Sequence, residues 1–361
     1  MRHKNTVLIT GSSGLIGSSL VRSLGRSYNV VGIDRAGPPY PPIEAECVGA
    51  DLTSPESIRR ALERVSYAYG NSLAAVVHLA AYYDFSGASS ELYETLSVNG
   101  TRELLRQLQA FDVGVFVFSS TMLLHAPCRP DQRINEESPL QPKWAYPRSK
   151  VEAERVIREE AGGMPALALR IAGVYDDHGR SLPLAHQIRR IDAERLTSRV
   201  FPGNTSCGQT FVHLDDTVAA FERAIERRAS LRGFMPILIG EGETLSYDEL
   251  QRTISRLLHG EEIETVEIPK SLARAGAWIR EYAPFAEEPF IKPWMVGLAD
   301  DHYAIDIARA EQVLGWRPRR SLRATLPRII ASLRRDPKEW YAANGLEAPS
   351  AAEESGDRVR R

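Results

Sequence analysis

Thr10-Gly11-Ser12-Ser13-Gly14-Leu15-Ile16-Gly17 is the stretch that decides the fold. Before it, the apolar run at residues 6–10 reads as a buried strand; after it, Ile16, Leu20 and Leu24 recur at helical spacing. A glycine-rich turn between a strand and a helix has a specific physical use. Gly11 lets the chain turn sharply, Gly14 brings the backbone close to a pyrophosphate, and Gly17 lets the helix pack against the sheet. The free N–H groups and positive dipole end of that helix then face the phosphates, with Ser13, Leu15 and Ile16 in the same turn. The glycine spacing alone is a weak signal. Strand, glycines and helix in this order make it a dinucleotide cradle.

The pattern repeats outward from this turn. Residues 30–33 form the next strand, ending at Asp34, whose carboxylate suits the adenine ribose hydroxyls and repels a 2′-phosphate. That favours NAD; Arg35 beside it would welcome the phosphate, so NADP stays open. Ser54-Pro55-Glu56 opens a helix with Ser as its cap. Residues 74–79 are a strand, 91–110 a helix, 115–118 the fifth strand, 145–161 a helix and 166–171 a strand. Strand and helix alternating in this way build an α/β fold of the Rossmann type, a doubly wound parallel sheet with helices on both faces. Beyond residue 173 the pattern loosens, with helices at 182–195, 215–228, 246–258 and 321–334 and strands at 210–214 and 236–239. The expected organisation is a nucleotide-binding domain over 1–175, to which 210–240 returns. A substrate lobe follows from 176–209 and 241–345, and 346–361 is a tail expected to be disordered.

Composition narrows the function. A formal charge of −2 offers nothing to nucleic acid or an anionic membrane, and no apolar run approaches the roughly 20 residues of a membrane helix. Cys47, Cys128 and Cys207 form no CxxC pair, so neither a disulfide framework nor a metal site is expected. His125, His178 and His186 lack metal-ligand spacing and read as core or surface residues. With no signal-peptide pattern before the first strand, the expected compartment is the cytoplasm.

Only six of the 45 cationic residues are Lys, which draws attention to Lys150, four residues after Tyr146 on a helix and therefore on its face. A phenol is a poor base at neutral pH. A nearby ammonium favours the phenolate, so Lys150 is expected to lower the pKa of Tyr146 and to hold a cofactor ribose. Tyr146 then takes a proton from a carbinol as hydride leaves its carbon, or returns one. The fifth strand runs into Ser119-Ser120-Thr121, where the Thr121 hydroxyl suits a developing alkoxide and Ser119 suits strand-end capping. Tyr82 and Tyr83, in Tyr82-Tyr83-Asp84-Phe85, either roof a substrate site or pack between lobes.

At this point the chain resembles the extended short-chain dehydrogenase/reductase family, also called the NAD-dependent epimerase/dehydratase family, over roughly residues 5–335. The landmarks, in order, are the glycine turn, Asp34, Asp51-Leu52, His78-Leu79-Ala80-Ala81, Val98-Asn99-Gly100-Thr101, Ser119-Ser120-Thr121 and Tyr146-Pro147-Arg148-Ser149-Lys150. Phe211-Val212-His213-Leu214-Asp215-Asp216 and Leu314-Gly315-Trp316-Arg317-Pro318 follow downstream. The resemblance implies that Asp51 and Leu52 line the adenine, that Leu79, Ala80 and Ala81 face ribose and phosphates, and that Ile171 lies near the nicotinamide. It implies Thr121, Tyr146 and Lys150 as the catalytic group, supported by Asn99, and a homodimer through the helices after the fourth and fifth strands.

Departures from the family pattern sharpen the expectation. Met122-Leu123 stand where 4,6-dehydratases carry Asp-Glu, which argues against water elimination. Gly173 replaces an Asn, Gln209 an Arg, and no Arg lies between Trp294 and Asp306; losing guanidinium forks argues against an ordinary nucleotide-diphosphate sugar. Gly173 remains a substrate-side position. The leading expectation is an NAD(P)-dependent oxidoreductase or epimerase-type enzyme acting on a small-molecule alcohol, ketone or sugar. The alternatives are a nucleotide-sugar epimerase with tightly bound NAD and, in another class, a non-catalytic NAD(P)-sensing scaffold.

Overall fold

The structure, a computed structural model, describes residues 5–35, 42–84, 89–193, 196–281 and 292–348. The expected tail falls almost wholly outside them, as does Phe85. In chain order the strands are β1 (Thr6–Thr10), β2 (Asn29–Asp34), β3 (Glu46–Gly49), β4 (Ser72–His78), β5 (Asp112–Val113), β6 (Phe116–Thr121), β7 (Ala166–Ile171), β8 (Gly173–Tyr175), β9 (Val200–Pro202), β10 (Phe211–His213), β11 (Phe234–Ile239) and β12 (Val266–Ile268). The helices are α1 (Leu15–Leu24), α2 (Pro55–Tyr69), α3 (Thr101–Leu108), α4 (Ala145–Glu160), α5 (Leu182–Asp192), α6 (Leu214–Glu226), α7 (Tyr247–His259), α8 (Lys270–Glu281), α9 (Pro293–Val296), α10 (Leu322–Arg335) and α11 (Pro337–Ala343).

Seven parallel strands of the described residues lie in the order β11-β7-β6-β4-β1-β2-β3, with β5 beside β4. These strands are apolar on both sides because helices cover both faces. Leu20, Val21 and Leu24 of α1 and Phe221 and Ile225 of α6 pack on one face with Val7, Ile9 and Val117. Ile58 and Leu62 of α2, Leu104 and Leu108 of α3 and Val156 of α4 pack on the other with Leu8, Val76 and Phe116. A third core gathers Tyr175, Leu184, Ile188, Ile254, Leu326, Ile329 and Trp340. Local signals read from the sequence are realised. Ser54 caps α2 with Pro55 in its first turn, and Ser246 with Glu249 forms a capping box on α7.

Two features depart from expectation. The helix expected over 91–110 widens to π-helical spacing across Tyr93–Gly100 before tightening into α3. β10 pairs with β8 rather than with the large sheet, which β11 joins beside β7.

The glycine turn is packed as its spacing requires. Gly11 has φ +71°, and a Cβ there would stand 2.8 Å from the amide nitrogen of Ala80. A Cβ on Gly17 would land on the carbonyl oxygen of Gly11. Gly17→Ala is therefore expected to lower stability by about 3 kcal/mol in urea denaturation. Gly49→Ala, where a Cβ meets nothing within 4 Å, should stay within about 0.5 kcal/mol of the parent; equal effects would contradict this packing.

Candidate active site

The carboxyl ends of the central strands meet at one edge. In register, Thr10 stands opposite Ile33 on one side and His78 on the other, while Thr121 of β6 stands opposite Ile171 of β7. Gly11 closes onto β2 through its N–H to the Ile33 carbonyl at 2.9 Å. Two residues on, the Ser13 amide donates to Asp34 Oδ2 at 2.8 Å, and the Arg35 amide donates to Oδ1. Asp34 thus braces the glycine turn, while the Arg35 side chain is exposed.

The residues present fit a dinucleotide. Gly14 leaves the start of α1 without a side-chain cap, so its first amides are free for a phosphate. The Ser13 hydroxyl is buried there without a hydrogen-bond partner, and a cleft of about 380 Å³ opens over Ser13, Gly14, Leu15, Ser18 and Arg180. Ile16 lies partly buried behind them. Leu52 is buried, its carbonyl pressed against Gly100. The Asp51 carboxylate turns to the amide and hydroxyl of Thr53, and those bonds lower its pKa.

His78 explains how Leu79, Ala80 and Ala81 are held beside this turn. Its ring is fully buried, bonded to the Thr10 hydroxyl at 2.6 Å through Nδ1 and to the Thr101 hydroxyl at 2.9 Å through Nε2. The Thr101 hydroxyl donates to the Ser97 carbonyl and the Ala80 amide donates to Thr10 Oγ1. A neutral ring, donating through Nε2 and accepting through Nδ1, satisfies every group in this chain. Burial first, and the charge of Lys150 second, push its pKa down to about 3.

Tyr146 and Lys150 lie on the first two turns of α4, facing the end of β6. The Lys150 ammonium is buried and donates to the Ser119 carbonyl at 2.7 Å. It also lies 4.5 Å from the centroid of the Phe118 ring and 5.8 Å from that of Tyr146. Thr121 is buried; its hydroxyl accepts from the Leu123 amide and lies on the side of the Tyr146 phenol, where it favours the ionised form. Tyr83 meets the phenol ring edge-on at 4.6 Å, and Tyr82 meets Tyr93 likewise at 4.9 Å. Trp144, at the start of α4, packs against Trp294 at 5.5 Å. Gly173 sits under the Phe211 ring, where a Cβ would come within 3.0 Å of an edge carbon.

Two expectations need correction. Lys150 does not depress the Tyr146 pKa in this arrangement. Loss of water, followed by the neighbouring Tyr93, pushes the phenol well above its ordinary value, and the Thr121 hydroxyl only partly opposes this. Burial dominates Lys150 too, bringing its pKa down to about 7 against the pull of Glu154.

The second correction concerns Asn99. Its side chain is exposed and accepts a hydrogen bond from Arg102, away from the phenol. Within the π-helical stretch Tyr93, Ser97, Val98 and Gly100 are the buried residues, and the Ser97 hydroxyl accepts from the Tyr82 amide at 3.2 Å.

Sequence reasoning also missed a buried polar cluster directly behind the site. Glu154 receives the Ser120 hydroxyl at 2.6 Å and both Nε and Nη2 of Arg170 at 3.0 and 2.7 Å. Arg170 Nη1 continues to His125 Nε2 at 3.0 Å, so this His belongs to the core.

With this geometry in place, the comparisons fall into line. Residues 7–240 match the family model described as the NAD dependent epimerase/dehydratase family. A 3-beta-hydroxysteroid dehydrogenase of Mycolicibacterium neoaurum is 24% identical, covering 86% of this chain and 87% of that one. A decarboxylating sterol-4-alpha-carboxylate 3-dehydrogenase of Saccharomyces cerevisiae is 21% identical over 78% of this chain and 81% of that one. Among solved structures, MoeE5 in complex with UDP-glucose and NAD is 25% identical with a TM-score of 0.65, covering 92% of this chain and all of that one.

The inward Ser97 and outward Asn99 are separable by stability alone. Ser97→Ala strands the Tyr82 amide and is expected to cost about 1–3 kcal/mol in urea denaturation, whereas Asn99→Ala should change stability by less than about 0.5 kcal/mol. The reverse order would restore the original expectation for Asn99.

Proposed function

The chain belongs to the NAD-dependent epimerase/dehydratase family, and on that premise we propose that it is an NAD-dependent oxidoreductase acting at a secondary alcohol or ketone. The observation that carries the reading is the meeting of Thr121, Tyr146 and Lys150 at the strand edge that also holds the glycine turn. NAD supplies the hydride acceptor or donor when bound. Thr121 and Tyr146, neighbours at the strand end, present two hydroxyls to one substrate oxygen. Thr121 steadies charge as it develops and Tyr146 exchanges the proton.

A phenol whose pKa is raised keeps its proton at neutral pH, so the resting arrangement holds Tyr146 in the protonated form that ketone reduction needs. Alcohol oxidation requires Tyr146 to lose its proton, which a positive charge brought beside the phenol promotes. Asp34 supports NAD over NADP, because a 2′-phosphate would meet its carboxylate.

The aromatic surroundings of the phenol support a substrate with an apolar ring skeleton, of the kind named for the hydroxysteroid dehydrogenase relative. Gln209, where an Arg was expected for nucleotide sugars, supports the same choice. A second reading, an epimerase of nucleotide sugars, draws on the likeness to the UDP-glucose-bound MoeE5 structure. Three unpaired cysteines support a cytoplasmic setting, and among the described residues no helix is long and apolar enough to cross a membrane.

Tyr146→Phe is expected to lower turnover of hydroxysteroids or other cyclic secondary alcohols by about 10²–10⁴-fold, read as NADH absorbance. NAD affinity by calorimetry should stay within about threefold, a change well below 1 kcal/mol. Full turnover in the variant would remove Tyr146 from the reaction, and thermal protection by UDP would favour the second reading.

The expected homodimer through α3 and α4 stays a proposal. It would join faces carrying Arg106, Glu152, Arg155 and Glu159, with Arg102 and Arg106 paired to Glu160 within the chain. Light scattering should give twice the 40.2 kDa chain mass; a single-chain mass at micromolar concentration would overturn it.

A further inference from the structure

Behind the phenol and the ammonium lies a group the proposed reaction does not use. Glu154 stands one helical turn beyond Lys150 on the same face of α4. Its carboxylate is almost fully buried, takes the Ser120 hydroxyl, and is forked by Arg170 across from it on β7. Ser120 and Arg170 are themselves partners in the β6–β7 register. Ser120 lies between Ser119, whose carbonyl receives the Lys150 ammonium, and Thr121, whose hydroxyl meets the phenol. One carboxylate thus touches the middle residue of the segment that holds both ends of the catalytic group.

A buried carboxylate–guanidinium pair gains little net stability over apolar packing, so its placement calls for another account. The pair is a dipole. Its negative end points toward Lys150 and the end of β6; its positive end points away, into His125 and the Glu136 carbonyl.

We propose that Glu154 is a positioning residue for the catalytic group: its charge keeps the buried Lys150 protonated, and its bond to Ser120 fixes the strand end that Lys150 and Thr121 share. The other groups around the ammonium do not supply that charge. His78 faces it from β4 as a neutral ring. Tyr146 on α4 is a neutral phenol, with Tyr83 and Tyr93 beyond it. β6 offers the Ser119 carbonyl and the Phe118 ring, and Arg170 on β7 is held by Glu154 itself. Burial draws Lys150 down to about 7 even with Glu154 present, so losing the carboxylate would leave the amine neutral at physiological pH. This rests on and deepens the proposed function, because Lys150 and Thr121 are members of the catalytic group on which that reading stands.

The test reads Lys150 directly, without cofactor or substrate. The chain has only six Lys, so ¹⁵N-lysine labelling gives few side-chain signals, and Lys150→Arg identifies the one of interest. In the parent, that signal should titrate near 7. In Glu154→Gln/Arg170→Gln, which removes both charges and strands neither, the midpoint should fall by about one pH unit, a tenfold loss of proton affinity. A midpoint unchanged in a folded variant would overturn the charge role.

Ser120→Ala keeps both charges and releases only the strand end. There the midpoint should hold while the Lys150 ammonium protons exchange with water about tenfold faster, as a loosened buried site opens more often. Unchanged exchange would overturn the strand role. Failure of the parent to bind NAD by calorimetry would sink the proposed function and leave both of these readouts standing.

Discussion

A buried ammonium needs its donors met, because burying an unpaired charge costs several kcal/mol. Lys150 is almost without solvent access, and the partners that meet its charge are the Ser119 carbonyl, the face of Phe118 and the carboxylate of Glu154 one turn along the helix. Those partners dictate much of the surrounding arrangement. The last residues of β6 must come up beside the first turns of α4. Arg170 must reach across from the adjacent strand to neutralise Glu154, and its other nitrogen must find His125. The site is built around keeping one charge where water does not reach.

The same burial reverses the expectation drawn from Tyr146 and Lys150 as a bare pair. Two side chains on one helix face suggest a cation beside a phenol, and in water the cation would win. At this strand edge both lose their hydration, which favours the neutral form of each. The phenol rises and the ammonium falls, so burial moves two nearly matched groups apart and favours the neutral pair. Added charge shifts that balance, as the carboxylate behind Lys150 does by favouring the ammonium.

The large sheet was legible because its strands are long apolar runs and its helices carry clear amphipathic spacing; residues 166–171 and the Ser54 and Ser246 caps are read directly from the sequence. The strands β8, β9 and β12 have three residues each, too few for any period to show. Asn99 was placed by family resemblance, and no residue of the sequence announces the π-helical spacing over Tyr93–Gly100 in which its side chain is exposed. Glu154 was hidden among charges of the same kind. Glu152, Arg155, Arg158 and Glu159 crowd the same helix, and only the four-residue step from Lys150 distinguishes Glu154 as lying beneath the site.

Asp34 shows how one residue ties the cradle to its ligand preference. Its carboxylate accepts the Ser13 amide at 2.8 Å, so the end of β2 holds the glycine turn in shape from the side. A phosphate on the adenine ribose would approach that carboxylate, and charge alone would repel it. Moving Asp34 aside to relieve the repulsion would leave the Ser13 amide without its acceptor and loosen the turn that presents the pyrophosphate amides. In the proposed function, preference for the unphosphorylated dinucleotide would rest on the same carboxylate whose hydrogen bond shapes the glycine turn.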